Sequence, residues 1–254
     1  MRRIAVLLSV LALSACAAYA ANSVSLGYSE NTTVVEGGDD DCSWGTLYAN
    51  HDGSFEDGYA WQYAGCVAPY YGAFGEGYDL GYGCVACGAF WLSTLPGYYS
   101  GQRADLYVWA GGAGSGAPGA VLGVISGVAF ANVPIWPSVG RNDVSMLIDV
   151  WGVGEFTIGY WGNWPDAQCG YYCAADMFGS GGGHPWTNIA PGIGYPTGWN
   201  DPSVVWGTGT IRSMGIGVWF VPEGCGPCCG GDPPPPPPVP ARSSTWGSIK
   251  ALFE

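Results

Sequence analysis

The chain has 254 residues, with 20 Asp+Glu against 7 Lys+Arg and a formal net charge of −13. Such a surface repels nucleic acid and anionic lipid, so nucleic-acid binding is excluded; it attracts divalent cations, so structural calcium stays open while no organic cofactor is implied. Only 11% of residues are charged, whereas 44 are Gly, 13 Trp and 16 Tyr, a composition of turn formers and aromatics that suits strands and tight loops rather than helices.

The first twenty residues read as a secretory signal peptide. Met1-Arg2-Arg3 is basic, Ile4 to Leu13 is apolar, and Ala18-Tyr19-Ala20 forms an A-x-A cleavage site. The apolar run is shorter than the ~20 residues a membrane-spanning helix needs, and no second run follows, so no transmembrane helix is expected in the mature protein. Leu13-Ser14-Ala15-Cys16 also resembles a bacterial lipobox, which leaves lipid anchoring at Cys16 open beside cleavage after Ala20. Removing residues 1–20 takes two arginines, leaving five Lys+Arg (7 − 2) against 20 acids, a net charge of −15. The expected destination is outside the cytoplasm of a bacterium, secreted or on the cell surface.

Residues 21–41 are weakly patterned and read as a flexible lead-in, with an edge strand at Thr32–Val35. From Cys42 the chain becomes strands and turns. "TLYANHDGSFEDGYAWQY" reads as a hairpin in which Leu47-Tyr48-Ala49 goes up, His51–Ser54 turns, and Tyr59, Trp61 and Tyr63 alternate on the return. Further strands are predicted at Val85–Leu92, Asp105–Trp109, Val121–Ala129, Val144–Trp151, Phe156–Trp161, Tyr171–Ala175 and Met214–Val221. Gly/Pro/Asn punctuation separates them, as at Gly111–Gly119 and Ala190–Thr197. No helical period is sustained and no fixed repeat appears. Short strands divided by turns imply an all-β fold, a two-sheet antiparallel β-sandwich over residues 42–222.

Residues 223–242 form a Cys/Gly/Pro-rich linker, in which Pro233–Pro238 is a polyproline II spacer of about 3.1 Å per residue. Residues 243–254 form a short tail. Ser243, Ser244 or Thr245 would cap a helical turn that puts Trp246, Ile249, Leu252 and Phe253 near one side, an apolar surface for docking to a partner. Cys225-Gly226-Pro227-Cys228 has the residues of a thioredoxin motif. In that motif a helix grows from the first cysteine and lowers its pKa; here Cys229-Gly230-Gly231 and six prolines follow, so a disulfide-clamped neck is expected instead.

The cysteines beyond the leader are 42, 66, 84, 87, 169, 173, 225, 228 and 229, an odd number, and export makes disulfides their default. A hairpin centred on Ser54 would bring Cys42 opposite Cys66, at the roughly 5 Å Cα separation a bridge accepts. Cys84 and Cys87 on one extended strand lie about 10 Å apart, too far to bridge each other, which makes Cys169 and Cys173 the expected partners. The same four cysteines only approximate the spacing of a zinc site.

No nucleophilic triad or G-x-S-x-G elbow surrounds His51 or His184, the two histidines. Glu56/Asp57, Glu76/Asp79 and Asp143/Asp149 are the available acidic pairs for a glycosidase-type reaction, and Asp39–Asp41 lacks calcium-loop spacing. Gly114-x-Gly116-x-x-Gly119 matches a dinucleotide fingerprint in letters, but the "AVLGVISGV" that follows has strand character, so a flexible turn is expected. The richer signal is aromatic. Trp164, followed by Pro165-Asp166, and also Trp186 and Trp199, are expected in loops where a flat ring beside Asp166 suits a sugar.

"LYANHDGSFEDGYAW" and "DLYVWAGGAGSGAPGAVL" resemble segments of jelly-roll-like β-sandwich domains of secreted bacterial proteins of unknown function. Phe156–Trp161 and Met214–Val221 stand where those domains have their late strands. The resemblance spans roughly residues 46–221 and brings no catalytic motif with it. "TWGSIKALF" is similar to short C-terminal sorting or anchoring tails of exported bacterial proteins, which implies export or sorting machinery as a partner. The expectation is a non-enzymatic surface or extracellular module for adhesion, glycan binding or envelope structure, with a polysaccharide or cell-surface component as partner. The alternatives are a polysaccharide hydrolase using an acidic pair and a self-assembling surface-layer or filament subunit.

Overall fold

A computed structural model describes residues 23–37, 42–43, 45–61, 70–97, 102–163, 170–178, 182–207 and 211–222, the side chain of Asn163 apart. The leader, Cys66, Trp164, Asp166, Cys169, the linker cysteines and the tail lie outside the described residues.

The strands are β1 (Ser23–Ser25), β2 (Thr33–Val35), β3 (Thr46–Tyr48), β4 (Asp57–Trp61), β5 (Phe74–Asp79), β6 (Gly83–Ser93), β7 (Arg103–Ala110), β8 (Val121–Val128), β9 (Ser138–Asp149), β10 (Glu155–Asn163), β11 (Tyr172–Asp176), β12 (Pro185–Ile189), β13 (Gly198–Asn200), β14 (Ser213–Met214) and β15 (Ile216–Pro222). One helical turn, α1 (Ser203–Trp206), interrupts them. They form two sheets. The six-stranded sheet runs β13-β12-β5-β10-β7-β8. The nine-stranded sheet runs β1-β4-β11-β6-β15-β3, with β9 on the other edge of β6, β2 beyond β9, and β14 against β11. The pairings are antiparallel apart from β2 with β9. The protein is an all-β, two-sheet sandwich.

Alternation along each strand makes the core. On β6, Phe90 and Leu92 face inward, as do Ile216, Val218 and Phe220 on β15; the six-stranded sheet answers with Leu106, Val108, Phe156, Ile158 and Tyr160. Rings meet across the gap, Phe156 on Phe220 at 5.9 Å and Phe90 on Tyr160 at 6.2 Å. The Tyr78 hydroxyl donates to Ile216 O at 2.6 Å, so a buried polar tip is satisfied by the opposite sheet. Each fully buried Phe contributes roughly 1.5–3 kcal/mol relative to exposure. Trp206 of α1 packs on Tyr59 at 4.7 Å and on Trp61 at 5.0 Å.

The expected hairpin does not form, although both of its arms lie in the nine-stranded sheet. β3 pairs with β15, whereas β4 pairs with β1 and β11. The segment between them lays Phe55, fully buried, against Trp91 on the outer face of the nine-stranded sheet. Without the hairpin, Cys42 is not opposite Cys66; it is bonded to Cys87, with Cα atoms 6.1 Å apart. Cys84 is disulfide-bonded as well. Cys173 is a free, buried thiol, because β11 turns it into the sandwich interior opposite Tyr59 and Leu92. It therefore bridges neither Cys84 nor Cys87, and with Cys87 oxidised the zinc arrangement is also ruled out.

Four strands escaped the sequence reading: β1, β5, β12 and β13. β9 also starts six residues before its expected beginning. Glycine explains two of these. A side chain at Gly77 in β5 would strike the backbone of Gly112, and one at Gly140 in β9 would strike the backbone of Asn132. These glycines mark close approaches inside strands, not turns. The lead-in carries β1 and β2, so it is an edge of the nine-stranded sheet. Among the described residues, no helix is long and apolar enough to cross a membrane.

Candidate functional site: an aromatic face on the six-stranded sheet

Thr187 of β12 points inward, where its hydroxyl accepts from Trp61 Nε1 at 2.7 Å and donates to Ala73 O. Alternation sends its neighbours Trp186 and Asn188 to the outer face. Trp186 stands across from Gly75, Gly75 from Gly159, and Gly159 from Tyr107. A row with glycine on its two middle strands is a floor on which rings from its ends lie flat. The ring of Trp109 occupies it, 3.9 Å from where a Cβ on Gly75 would sit.

Trp109 is the centre of the cluster. Tyr107 stacks on it at 5.0 Å, Trp199 meets it edge-on at 4.9 Å, and Tyr70 approaches at 6.0 Å. Trp161 belongs to the same packed group. Two indoles are anchored by hydrogen bonds to backbone, Trp186 Nε1 to Gly112 O at 2.7 Å and Trp161 Nε1 to Tyr71 O at 3.0 Å. Tyr70 adopts φ 61, a left-handed conformation costly for a residue with a side chain, and it does so where its ring meets Tyr107 at 4.8 Å. Tyr70, Trp161, Trp186 and Trp199 are partly exposed, while Trp109 is enclosed beneath them. Burial, with help from Asp105, pushes the Tyr107 hydroxyl up to about 12, so it stays protonated.

Two polar atoms in this region are buried without a partner, Trp109 Nε1 and Asn188 Oδ1. One donates and the other accepts. Asn188 stands across from Trp199 in the β12–β13 pairing. Buried polar atoms in native proteins are nearly always satisfied, so each such atom marks a place for water or a ligand hydroxyl.

Of the predicted sugar-facing residues, Trp186 and Trp199 come together on this face, on paired strands rather than in loops; Trp164 and Asp166 lie outside the described residues. Tyr107, Trp109 and Tyr70 were missed as site residues. In "DLYVWA" Leu106 and Val108 alternate with Tyr107 and Trp109, so both faces look like core to a local reading.

The acids take other places. Glu56 accepts from Met177 N, and Asp57 from Ser25, Gly27 N and Gly58 N. Glu76 is fully buried between the sheets and Asp79 is exposed at the end of β5. Asp143 is ion-paired with Arg141 at 3.1 Å, and Asp149 accepts from Trp151 N. None of the three acidic pairs borders the aromatic face as a matched acid and base. The glycine-rich loop after β7 folds around a carboxylate of its own: Glu155 Oε2 accepts from Ala113 N, Ser115 N and the Ser115 hydroxyl. Those bonds hold the Glu155 carboxyl below its ordinary range and occupy the N–H groups a phosphate would need. Among the described residues no group of three or more His, Cys, Asp or Glu is placed to hold a metal ion. Comparison with protein-family models, curated proteins and solved structures finds no match for this chain.

Proposed function

We propose that this protein is an exported, non-enzymatic β-sandwich module that binds an uncharged polysaccharide through the outer face of its six-stranded sheet. The observation that carries the reading is the Trp109-centred ring cluster with its two unpartnered atoms, Trp109 Nε1 and Asn188 Oδ1. Partly exposed indoles offer sugar rings an apolar platform, and sugar hydroxyls can both accept from an N–H such as Trp109 Nε1 and donate to an oxygen such as Asn188 Oδ1. With a net charge of −13, the surface favours a neutral glycan over an acidic one.

The test is retention on immobilised cellulose, chitin, xylan and mannan. Wild type should be retained on at least one, and Trp199→Ala or Trp186→Ala should lose retention with the melting temperature little changed. Absence of retention on every matrix, or equal retention of both variants, would overturn the reading. Trp164→Ala belongs in the same series.

Self-assembly is the second reading, favoured by β8. It is an eight-residue edge strand without a charged residue, and Val121 and Val124 are exposed on it. Uncharged edges of that length invite pairing with another chain. The export leader, the lipid alternative at Cys16 and the sorting role of residues 243–254 are part of the same proposal.

A further inference from the structure

The outer face of the nine-stranded sheet carries a second group of unpartnered polar atoms. Arg141 and Asp143 project from β9, Trp91 from β6 and Trp219 from β15. The pairings Trp91 with Arg141, Ala89 with Asp143, and Cys87 with Trp219 put them in three successive rows. The row between the two indoles holds only small residues from β6 and β15, Ala89 and Gly217. The Arg141 guanidinium lies 6.0 Å from both indole rings. It is paired to Asp143 at 3.1 Å through Nη2 and to Glu36 at 2.6 Å through Nη1.

Those contacts leave specific atoms over. Arg141 Nε, Asp143 Oδ1 and Trp219 Nε1 are each buried with no hydrogen bond, and so is Nε2 of His51, whose ring meets Trp91 at 4.3 Å. The side chain of Asp143 is only 5% exposed. The Trp219 N–H faces this carboxylate without closing a bond to it. His51 Nδ1 accepts from Gly53 N, so the neutral ring carries its proton on Nε2. The set is therefore three N–H donors and one carboxylate acceptor around two indoles. Several such orphans in one place ask for an occupant.

The charges select its chemistry. An anion would meet Glu36 and Asp143 on an acidic protein. A cation would meet Arg141 and three N–H groups. A neutral hydroxyl accepts from an N–H and donates to a carboxylate at once, and neighbouring hydroxyls on a ring do so at several points. We propose that this face is a second binding site, separate from the six-stranded sheet, for one uncharged polyhydroxylated ring, a monosaccharide unit or a cyclitol. Its hydroxyls would complete Asp143, Arg141 and Trp219.

The experiment reads the indole N–H of Trp219 and the Nε–H of Arg141 by nitrogen–proton NMR on the full mature chain, titrated separately with glucose, galactose, mannose and myo-inositol. Sugars that act while inositol does not assign a monosaccharide; the reverse assigns a cyclitol. At least one probe should move both signals saturably. Trp219→Phe, which keeps a ring and removes the N–H, should weaken the response at Arg141 about fivefold to tenfold, the equivalent of one hydrogen bond. Asp143→Asn should weaken it further. Trp199→Ala, on the other sheet, should leave it unchanged. If no probe moves either signal the proposal fails, and contact of the Trp219 N–H with a long-lived water then assigns the orphans to solvent. Unchanged affinity in both Trp219→Phe and Asp143→Asn sinks it equally.

Discussion

Glu76 has no exposed surface, and three N–H groups converge on it, from Asn50, His184 and Met214. Burial raises its pKa from 4.5 to about 7, although these donors pull the other way. Between those values the folded protein keeps a proton that the unfolded chain has lost, so the contribution of Glu76 to stability is full below pH 4.5 and declines as pH rises to about 7. His51 runs in the opposite sense. Burial lowers it from 6.5 to about 4, so its contribution falls as pH drops through that window. The two slopes oppose each other in mild acid and single variants should separate them. Glu76→Gln should lose stability from pH 7 towards pH 4.5, whereas His51→Asn should gain it, each by on the order of 2 kcal/mol in urea unfolding. Parallel curves for both variants would show that neither group titrates as described. The Cys42–Cys87 bond closes a separation of 45 residues. Replacing both cysteines with alanine should cost about 4 kcal/mol in the same assay by the loop-entropy account. Peptide mapping without reduction should recover that pair and leave Cys173 free.

At the scale of elements, glycine decides which strands pack closely. Gly77 admits the Gly111–Gly112 backbone against β5, and a Cβ there would meet the Gly112 carbonyl. Backbone cannot rotate away as a side chain does. Gly77→Ala should therefore lower stability by about 1–3 kcal/mol and weaken glycan retention, since Gly112 O also anchors Trp186. Gly53→Ala meets open space but sits at φ 95, so its smaller cost would come from conformation alone. The β8 edge gives another prediction. If the protein assembles through it, Val124→Lys should abolish assembly seen by sedimentation while leaving the melting temperature unchanged, because Val124 is 44% exposed. Assembly that survives this substitution uses another surface.

For the whole molecule, the sandwich offers two aromatic outer faces built by the same device, large rings lying over glycine or alanine on neighbouring strands. They stand apart from the inter-sheet core of Phe74, Phe90, Phe156 and Phe220 as smaller packed clusters. Removing residues 233–254, a polyproline spacer and an apolar tail, should leave melting unchanged and change where the protein accumulates in its source cell. Normal localisation combined with melting several degrees lower would show that the tail is a part of the fold.

The local properties of this chain were legible in its letters. Period-two alternation, β-branched and aromatic enrichment and Gly/Pro punctuation act within a few residues, so β6, β7, β8, β10, β11 and the β14–β15 run appear near their predicted places. What only the tertiary structure decided was partnership. β3 and β4 look like the arms of one hairpin, yet each has more to gain beside β15 and β11, strands more than a hundred residues away. The disulfide followed that choice, which is why Cys42 found Cys87. The candidate site followed it too: Trp109 and Trp199 meet, with Trp186 on the same face, because β7, β12 and β13 share a sheet whose middle strands present Gly75 and Gly159. Strand partners are selected by the surface two whole faces bury together, a quantity no short window of sequence contains.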